Sequence, residues 1–285
     1  MLHHLDHGHG PPVVLLHAGA LDHRLWTPQV AELARSRRVV ALDLRGHGWS
    51  PTPDVPFRHV DDVVALLRAL DTGPATLVGI SLGARTAVDV ALEAPELVDR
   101  LVVSGAGAGE PDFRDPGILD LFTRWARAEQ ERDPDAWVEI FLRLGFGPDR
   151  ALADIDPAVV DPVREMARTT LRRHVPDGPP VPPTPVADAR EQASALAVPV
   201  LAVVGELDWP DHRRLARELA AEAPDGGVVA IPGAAHYPNL EQPEAFIALL
   251  REQLAALIGA PTAHVRETRR IQSRPRIGRT TGTKP

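Results

Sequence analysis

Ala75-Thr76-Leu77-Val78-Gly79-Ile80-Ser81-Leu82-Gly83-Ala84-Arg85 is the stretch whose reading decides the fold. A short apolar run ends in Gly-x-Ser-x-Gly, and a helix-forming run from Thr86 to Ala94 follows at once. The pattern predicts strand, sharp turn and helix, with Ser81 at the apex. Such a turn strains the serine backbone and leaves almost no room for neighbouring side chains, which accounts for Gly79 and Gly83. The hydroxyl is then presented above the sheet, where a base can reach it. The motif alone is common in turns; the strand before it and the helix after it give it meaning.

An activated serine needs a base, and the base needs an orienting acid. Pro199-Val200-Leu201-Ala202-Val203-Val204-Gly205-Glu206-Leu207-Asp208 reads as a buried strand running into a carboxylate, and Val228–Ile231 as another strand followed by Pro232-Gly233-Ala234-Ala235-His236-Tyr237. The chain order is Ser81, Asp208, His236, each in a loop just past a strand. In a parallel sheet those loops open on one edge, so the three can meet. Asp208 would orient the ring, and His236 would take the serine proton and later deliver it to the leaving group. A negative tetrahedral intermediate also needs backbone donors. Leu82 N–H at the start of the helix is one, and the loop His17-Ala18-Gly19-Ala20 after the strand Val13–Leu16 offers the other, from Gly19.

Strand patterns fall at 12–16, 38–43, 75–80, 100–104, 199–204 and 228–231, and helical patterns at 28–36, 58–70, 82–93, 211–222 and 244–257. This alternation implies an α/β protein whose mostly parallel sheet is covered by helices on both faces. Between Ser104 and Ala197 the strand signal stops. Ile118 to Arg132, Asp135 to Leu144 and Pro157 to His174 are amphipathic, and a proline-rich crossing, Pro176 to Pro185, follows. They predict a helical cap with a stiff return linker. The expected organisation is a core over 1–106, a cap over 107–190, the rest of the core over 191–260 and a basic tail over 261–285. The tail has no apolar periodicity, and residues 264–285 carry six Arg and one Lys against Glu267 alone, so disorder is expected there.

These segments resemble the α/β-hydrolase superfamily, in its esterase, enol-lactonase and C–C hydrolase type with a helical lid. The resemblance spans roughly residues 10 to 258. It rests on Leu16-His17-Ala18-Gly19, on Asp43-Leu44-Arg45-Gly46-His47-Gly48-Trp49-Ser50, on the serine turn, on Gly205-Glu206-Leu207-Asp208 and on His236-Tyr237-Pro238-Asn239-Leu240-Glu241-Gln242-Pro243. It implies a serine hydrolase that cleaves a small-molecule carboxylic ester or lactone through a Ser-His-Asp triad and an acyl-enzyme. The same triad also serves C–C hydrolases and lyases or cyclases, and the scaffold can host a non-catalytic ligand receptor. Two departures stand out: Ala18, where glycine is common in the family, and an N-terminus so short that the antiparallel hairpin opening the fold looks truncated. Some relatives carry the acid after the preceding strand, so the resemblance also makes Glu110 and Asp112 reserve candidates for it. His17, His47, Asp43 and Arg45 fit structural roles in their loops. His3, His4, His7 and His9 read as an exposed flexible tract.

Composition narrows the field further. Zero cysteines removes thiol nucleophiles, disulfides and thiolate metal sites, and the one lysine, Lys284, leaves no Schiff-base or phosphate-loop candidate. A net charge of −8 disfavours nucleic acid, and no apolar run is long enough for a bilayer. No signal-peptide pattern opens the chain. The expectation is a cytoplasmic enzyme, monomer or homodimer, that needs no cofactor or metal and acts on a small molecule. Ala20, Trp125, Trp137, Trp209 and Tyr237 are expected near the substrate by position. Arg85, four residues past the serine, could reach a substrate carboxylate, and Arg124, Arg127 and Arg143 in the cap keep an anionic substrate open.

Overall fold

β2 (Pro12–Leu16), β3 (Arg38–Leu42), β4 (Ala75–Ile80), β5 (Val98–Ser104), β6 (Val200–Gly205) and β7 (Gly226–Ile231) form the parallel body of the sheet in a computed structural model of the chain. The structure describes residues 1–175, 181–255 and 269–270. With the short edge strands β1 (His4–His7) and β8 (Arg269–Arg270), the sheet order is β1-β3-β2-β4-β5-β6-β7-β8. Among the described residues only β1 runs antiparallel to its neighbour. The rest of the basic tail and Pro176–Pro180 of the proline crossing lie outside the described residues.

The central strands are apolar at nearly every position because both faces are covered. Val14 and Leu16 point to one side, with Val63, Leu66 and Leu67 of α2 (His59–Ala69), Ala84, Ala87 and Val88 of α3 (Leu82–Glu93), and Leu219 of α7 (Pro210–Glu222). Val13 and Leu15 point to the other, with Leu33 of α1 (Thr27–Leu33) and Phe246, Leu249 and Leu250 of α9 (Pro243–Ala255). Truncating one of these fully buried leucines to alanine removes transfer energy and leaves a cavity, about 2–5 kcal/mol together.

Three helices leave the chain between β5 and β6: α4 (Pro116–Glu131), α5 (Pro134–Phe146) and α6 (Pro157–His174). Each starts with the same dipeptide. Asp115, Asp133 and Asp156 accept hydrogen bonds from first-turn N–H groups, and the proline that follows each one fills a position whose N–H would have no partner. Val138, Phe141 and Leu142 of α5 and Val160, Val163 and Met166 of α6 extend the α1/α9 side of the core. Ile118, Leu121 and Ala128 of α4 build a smaller cluster with Ile140 and Trp209.

The N-terminus departs from the expectation of a flexible histidine tract. β1 pairs residue for residue with β3, from His4 opposite Leu42 to His7 opposite Val39, and Leu2 is buried. The reason lies in the partner: β3 would otherwise present an unpaired edge, and a four-residue strand closes it. His3 Nδ1 donates to Asp43 Oδ2 at 2.9 Å and His23 Nδ1 to Asp43 Oδ1 at 2.8 Å. The fully buried Asp43 carboxylate also accepts the His23 and Trp49 N–H groups; burial alone would raise its pKa, but the His23 ring and these two N–H groups help to hold it well below the usual carboxylate range.

Candidate active site

Ser81 sits between β4 and α3 with φ 53° and ψ −114°, a conformation that costs any L-residue energy. Its N–H donates to Ser104 O at 2.8 Å and its carbonyl accepts Arg85 N–H at 3.0 Å, so strand and helix both hold the apex in place. The glycines are needed for close approach rather than for rotation. A Cβ on Gly79 would collide with the Gly83 carbonyl, and one on Gly83 with the carbonyls of Leu16 and His17. The first turn of α3 is thereby seated directly on the end of β2.

That seating brings Leu82 beside Gly19, whose Cβ position lies 3.9 Å from the Leu82 Cβ. Leu82 opens α3, so its N–H has no helical acceptor. The loop carrying Gly19 is fixed by His17, which is fully buried. Its Nδ1 lies 2.8 Å from Ala18 O and its Nε2 accepts Leu44 N–H at 2.9 Å, a pair of bonds only the neutral ring can make. Burial, outweighing the pull of Asp43, lowers its pKa and keeps it in that form. Ala20 completes the turn at φ 60°.

Asp208 and His236 close the constellation from β6 and β7. His236 Nδ1 lies 2.9 Å from Asp208 Oδ2, and both side chains are buried. A carboxylate can only accept here, so Nδ1 carries the proton and Nε2 is left as a base. Burial alone would raise the Asp208 pKa, but His212 and His236 beside it hold it well below the carboxylate range. For His236 burial is the leading influence and lowers the pKa, His212 adds to that, and Asp208 opposes it. The histidine loop is tied down by His236 N–H to Gly145 O at 3.2 Å and by Ala235 N–H to Glu241 at 2.8 Å. Glu241, in the short helix α8 (Pro238–Glu241), pairs in turn with Arg150 at 2.6 Å.

Ser81, His236, Gly19 and Leu82 all line one cavity of about 900 Å³ between the strand ends and α4–α6, within the range of small-molecule sites. Ala20, Trp125, Trp137 and Tyr237 line it too, with Phe113, Phe122 and Phe141. Trp125 meets Trp137 edge to face at 4.7 Å, and Trp137 stacks on Phe141 at 5.6 Å. Trp209 is placed differently from the expectation. Its ring packs under α4 against Gly117 and Ile118, outside the cavity, and only its backbone N–H reaches the site, donating to Asp208 Oδ1 at 2.8 Å.

A sequence model of the alpha/beta hydrolase family matches residues 13–249. The chain belongs to that family. It is 28% identical over 262 residues to the pimeloyl-[acyl-carrier protein] methyl ester esterase of Aliivibrio salmonicida, covering 87% of this chain and 93% of that one. It is 25% identical over 248 residues to the (E)-2-((N-methylformamido)methylene)succinate hydrolase of Acinetobacter baylyi, with 85% and 89% covered. Among solved structures, a thermophilic esterase from Thermogutta terrifontis superposes with a TM-score of 0.71 at 26% identity, over 90% of this chain and 94% of the other. The chain is thus an enzyme of ester-hydrolase type, as its residues and its resemblance had led us to expect.

Within this hydrolase the reserve acids are occupied elsewhere. Glu110 pairs with Arg85 at 2.7 Å and Asp112 with Arg114 at 2.5 Å. Arg85 reaches the cavity wall but carries Glu110 with it. Asp211 does more than start α7: its carboxylate accepts the N–H groups of Arg114 and Asp115 at 2.6 Å each and ties the entry of α4 to the acid loop. The residue that sequence reasoning missed is His212. Its Nδ1 lies 2.9 Å from Asp208 Oδ1, and its ring lines the cavity. The available signal was its spacing, four residues after Asp208 with Pro210 between, which puts it one helical turn along from the acid. Asp208 with its two histidines, and Asp43 with His3 and His23, are the two groupings able to gather a cation among the described residues. In both, every imidazole Nδ1 already donates to the carboxylate, so an ion would have to displace those protons.

Proposed function

We propose that this hydrolase cleaves a small-molecule carboxylic ester or lactone, with Ser81 as nucleophile, His236 as general base and acid, and Asp208 as its orienter. The observation that carries the reading is the Asp208–His236 bond, which fixes the proton on Nδ1 and leaves Nε2 basic in the cavity that Ser81 lines. Ser81 Oγ attacks the carbonyl carbon as His236 Nε2 takes its proton. The oxyanion accepts the Gly19 and Leu82 N–H groups. The C–O bond then breaks as His236 returns the proton to the leaving alkoxide, which gives an alcohol and an acyl-serine. Water, deprotonated by the same nitrogen, adds to the acyl-enzyme and releases the carboxylic acid.

We further propose that α4–α6 act as a cap that shields this chemistry from bulk water, and that their aromatic wall takes an apolar acyl or alcohol group. Arg124, Arg127, Arg164, Arg168 and Arg172 on α4 and α6 each sit against a carboxylate, and Arg173 lies over the Trp49 ring, so these helices offer little uncompensated positive charge to a carrier protein. We therefore take the substrate to be a free ester or lactone. No helix among the described residues is long and apolar enough to cross a membrane.

Hydrolysis of a p-nitrophenyl ester series, acetate through octanoate, tests the reading, with fluorophosphonate labelling of Ser81 alongside. Turnover with a chain-length optimum, lost on labelling, supports it. A folded protein that turns over no ester and takes no label at Ser81 refutes it.

Gly105 gives an independent check on the position of His236. It lies just past β5 at φ 68°, and a Cβ there would run into the imidazole at Cε1 and Nδ1. Gly105→Ala should push the ring off its line to the serine and lower kcat by about 100-fold. Steady-state kinetics beside a thermal melt separates that effect from unfolding, and an unchanged kcat would mean that the ring position does not limit turnover.

A further inference from the structure

The triad reading has no use for His212, yet few side chains are better placed to influence it. It stands in the first turn of α7 and is buried, 3% exposed. Its Nδ1 meets Asp208 Oδ1 at 2.9 Å, mirroring His236 on Oδ2 at the same distance. The two rings lie 4.1 Å apart and tilted by 31°, and Phe113 closes on His212 edge-on at 5.7 Å. A carboxylate held by one oxygen can swing about its own bond, whereas one held by both cannot. Here His212 and the Trp209 N–H hold Oδ1, which aims Oδ2 at His236.

We propose that His212 is a positioning residue for the chemistry above: it pins the second oxygen of Asp208 and competes with His236 for that carboxylate's charge. The proposal rests on the triad reading. One carboxylate facing two imidazoles divides its charge between them, and after burial it is the neighbouring His212 ring that lowers the His236 pKa, against the pull of Asp208. The other ionisable groups around His236 change this little. Glu241 is committed to Arg150 and the Ala235 N–H, and Tyr237 is a buried phenol whose pKa is pushed further up. His212 therefore keeps His236 unprotonated, and able to accept the serine proton, further into acid than a lone Asp–His pair would allow.

Two substitutions separate pinning from charge. His212→Asn puts an amide N–H where Nδ1 stood and removes the imidazole; His212→Phe keeps an aromatic ring but supplies no donor. The His236 ring is titrated by NMR in the unmodified protein and in both variants, beside pH profiles of kcat/KM for a p-nitrophenyl ester. The His236 midpoint and the acid limb should rise by about half a unit to one unit in both variants. The alkaline plateau should fall no more than about threefold in His212→Asn and about tenfold or more in His212→Phe. An unmoved His236 midpoint in His212→Asn overturns the charge role, and equal plateaus in the two variants overturn the pinning. Melting curves show whether His212→Phe folds, and the Asn variant decides the charge question if it does not. A midpoint that rises in a protein that turns over no ester supports the pairing of the two rings and counts instead against the esterase reading.

Discussion

Ser81→Ala is expected to lower kcat/KM for a p-nitrophenyl ester by about 10⁵-fold or more, to the level that oxyanion binding alone supports. Alanine lacks the nucleophile and changes nothing else that the fold depends on. The apex keeps its N–H bond to Ser104 O and its place between β4 and α3. No side-chain hydrogen bond caps α3 from Ser81, so removing the hydroxyl breaks no helix cap. Stability should therefore stay within about 0.5 kcal/mol of the parent. Burst kinetics and a denaturant melt on one preparation make the comparison. A variant that keeps a tenth of the parent rate would mean that the serine is never acylated and that the cavity performs some other reaction.

Asp208→Asn should be nearly as damaging, with kcat down about 10⁴-fold. The reason is tautomeric. Asp208 presents two acceptor oxygens to two imidazole N–H donors. An asparagine presents one oxygen and one NH₂, so one of the two rings must move its proton to Nε2. If that ring is His236, it can no longer take a proton from Ser81. The loss should also appear in stability, at about 1–3 kcal/mol, because the buried carboxylate loses its charge-assisted bonds to the two rings and to the Trp209 backbone N–H. The pH dependence follows from the sign of the carboxyl shift. Its folded pKa lies below the unfolded value, so its contribution is complete above about pH 4 and is lost as acid titrates the folded protein. Melts of parent and variant should therefore converge at low pH and diverge above it. Parallel curves would show that the carboxylate charge contributes nothing to folding.

The sheet was legible because it is buried on both faces. Pro12–Leu16 and Ala75–Ile80 read as unbroken apolar runs and occupy the expected positions to the residue, and β6 falls within one residue of its expected bounds. The three long helices between β5 and β6 also stood out as amphipathic runs; their Asp-Pro starts, a few residues earlier for α4, came from the structure. β1 was not legible. His-Leu-Asp-His has too few residues for a period and no β-branched side chain, and its extended form is imposed by the open edge of β3. At the site, Ser81, Gly19, Leu82 and His236 line one cavity. Trp209 shows the limit of arguing from adjacency: consecutive residues leaving a strand point apart, so a neighbour of the acid can face α4 instead of the substrate. His212 was hidden for a related reason. Its spacing from Asp208 places it in the first turn of a helix already expected from 211, but that pattern does not say that the ring turns back onto the carboxylate.

The positive φ of Ser81 also bears on laboratory evolution. Any residue but glycine at position 81 carries the backbone strain, about 1–3 kcal/mol. Glycine would release it at the cost of extra freedom in the unfolded chain, about 0.4–1 kcal/mol. A library sorted for heat tolerance alone should thus enrich glycine at the one position where it abolishes the proposed chemistry. Thermal selection on this scaffold needs an activity gate at every round, and the frequency of glycine at 81 in an ungated pool measures how much folding energy the turn withholds.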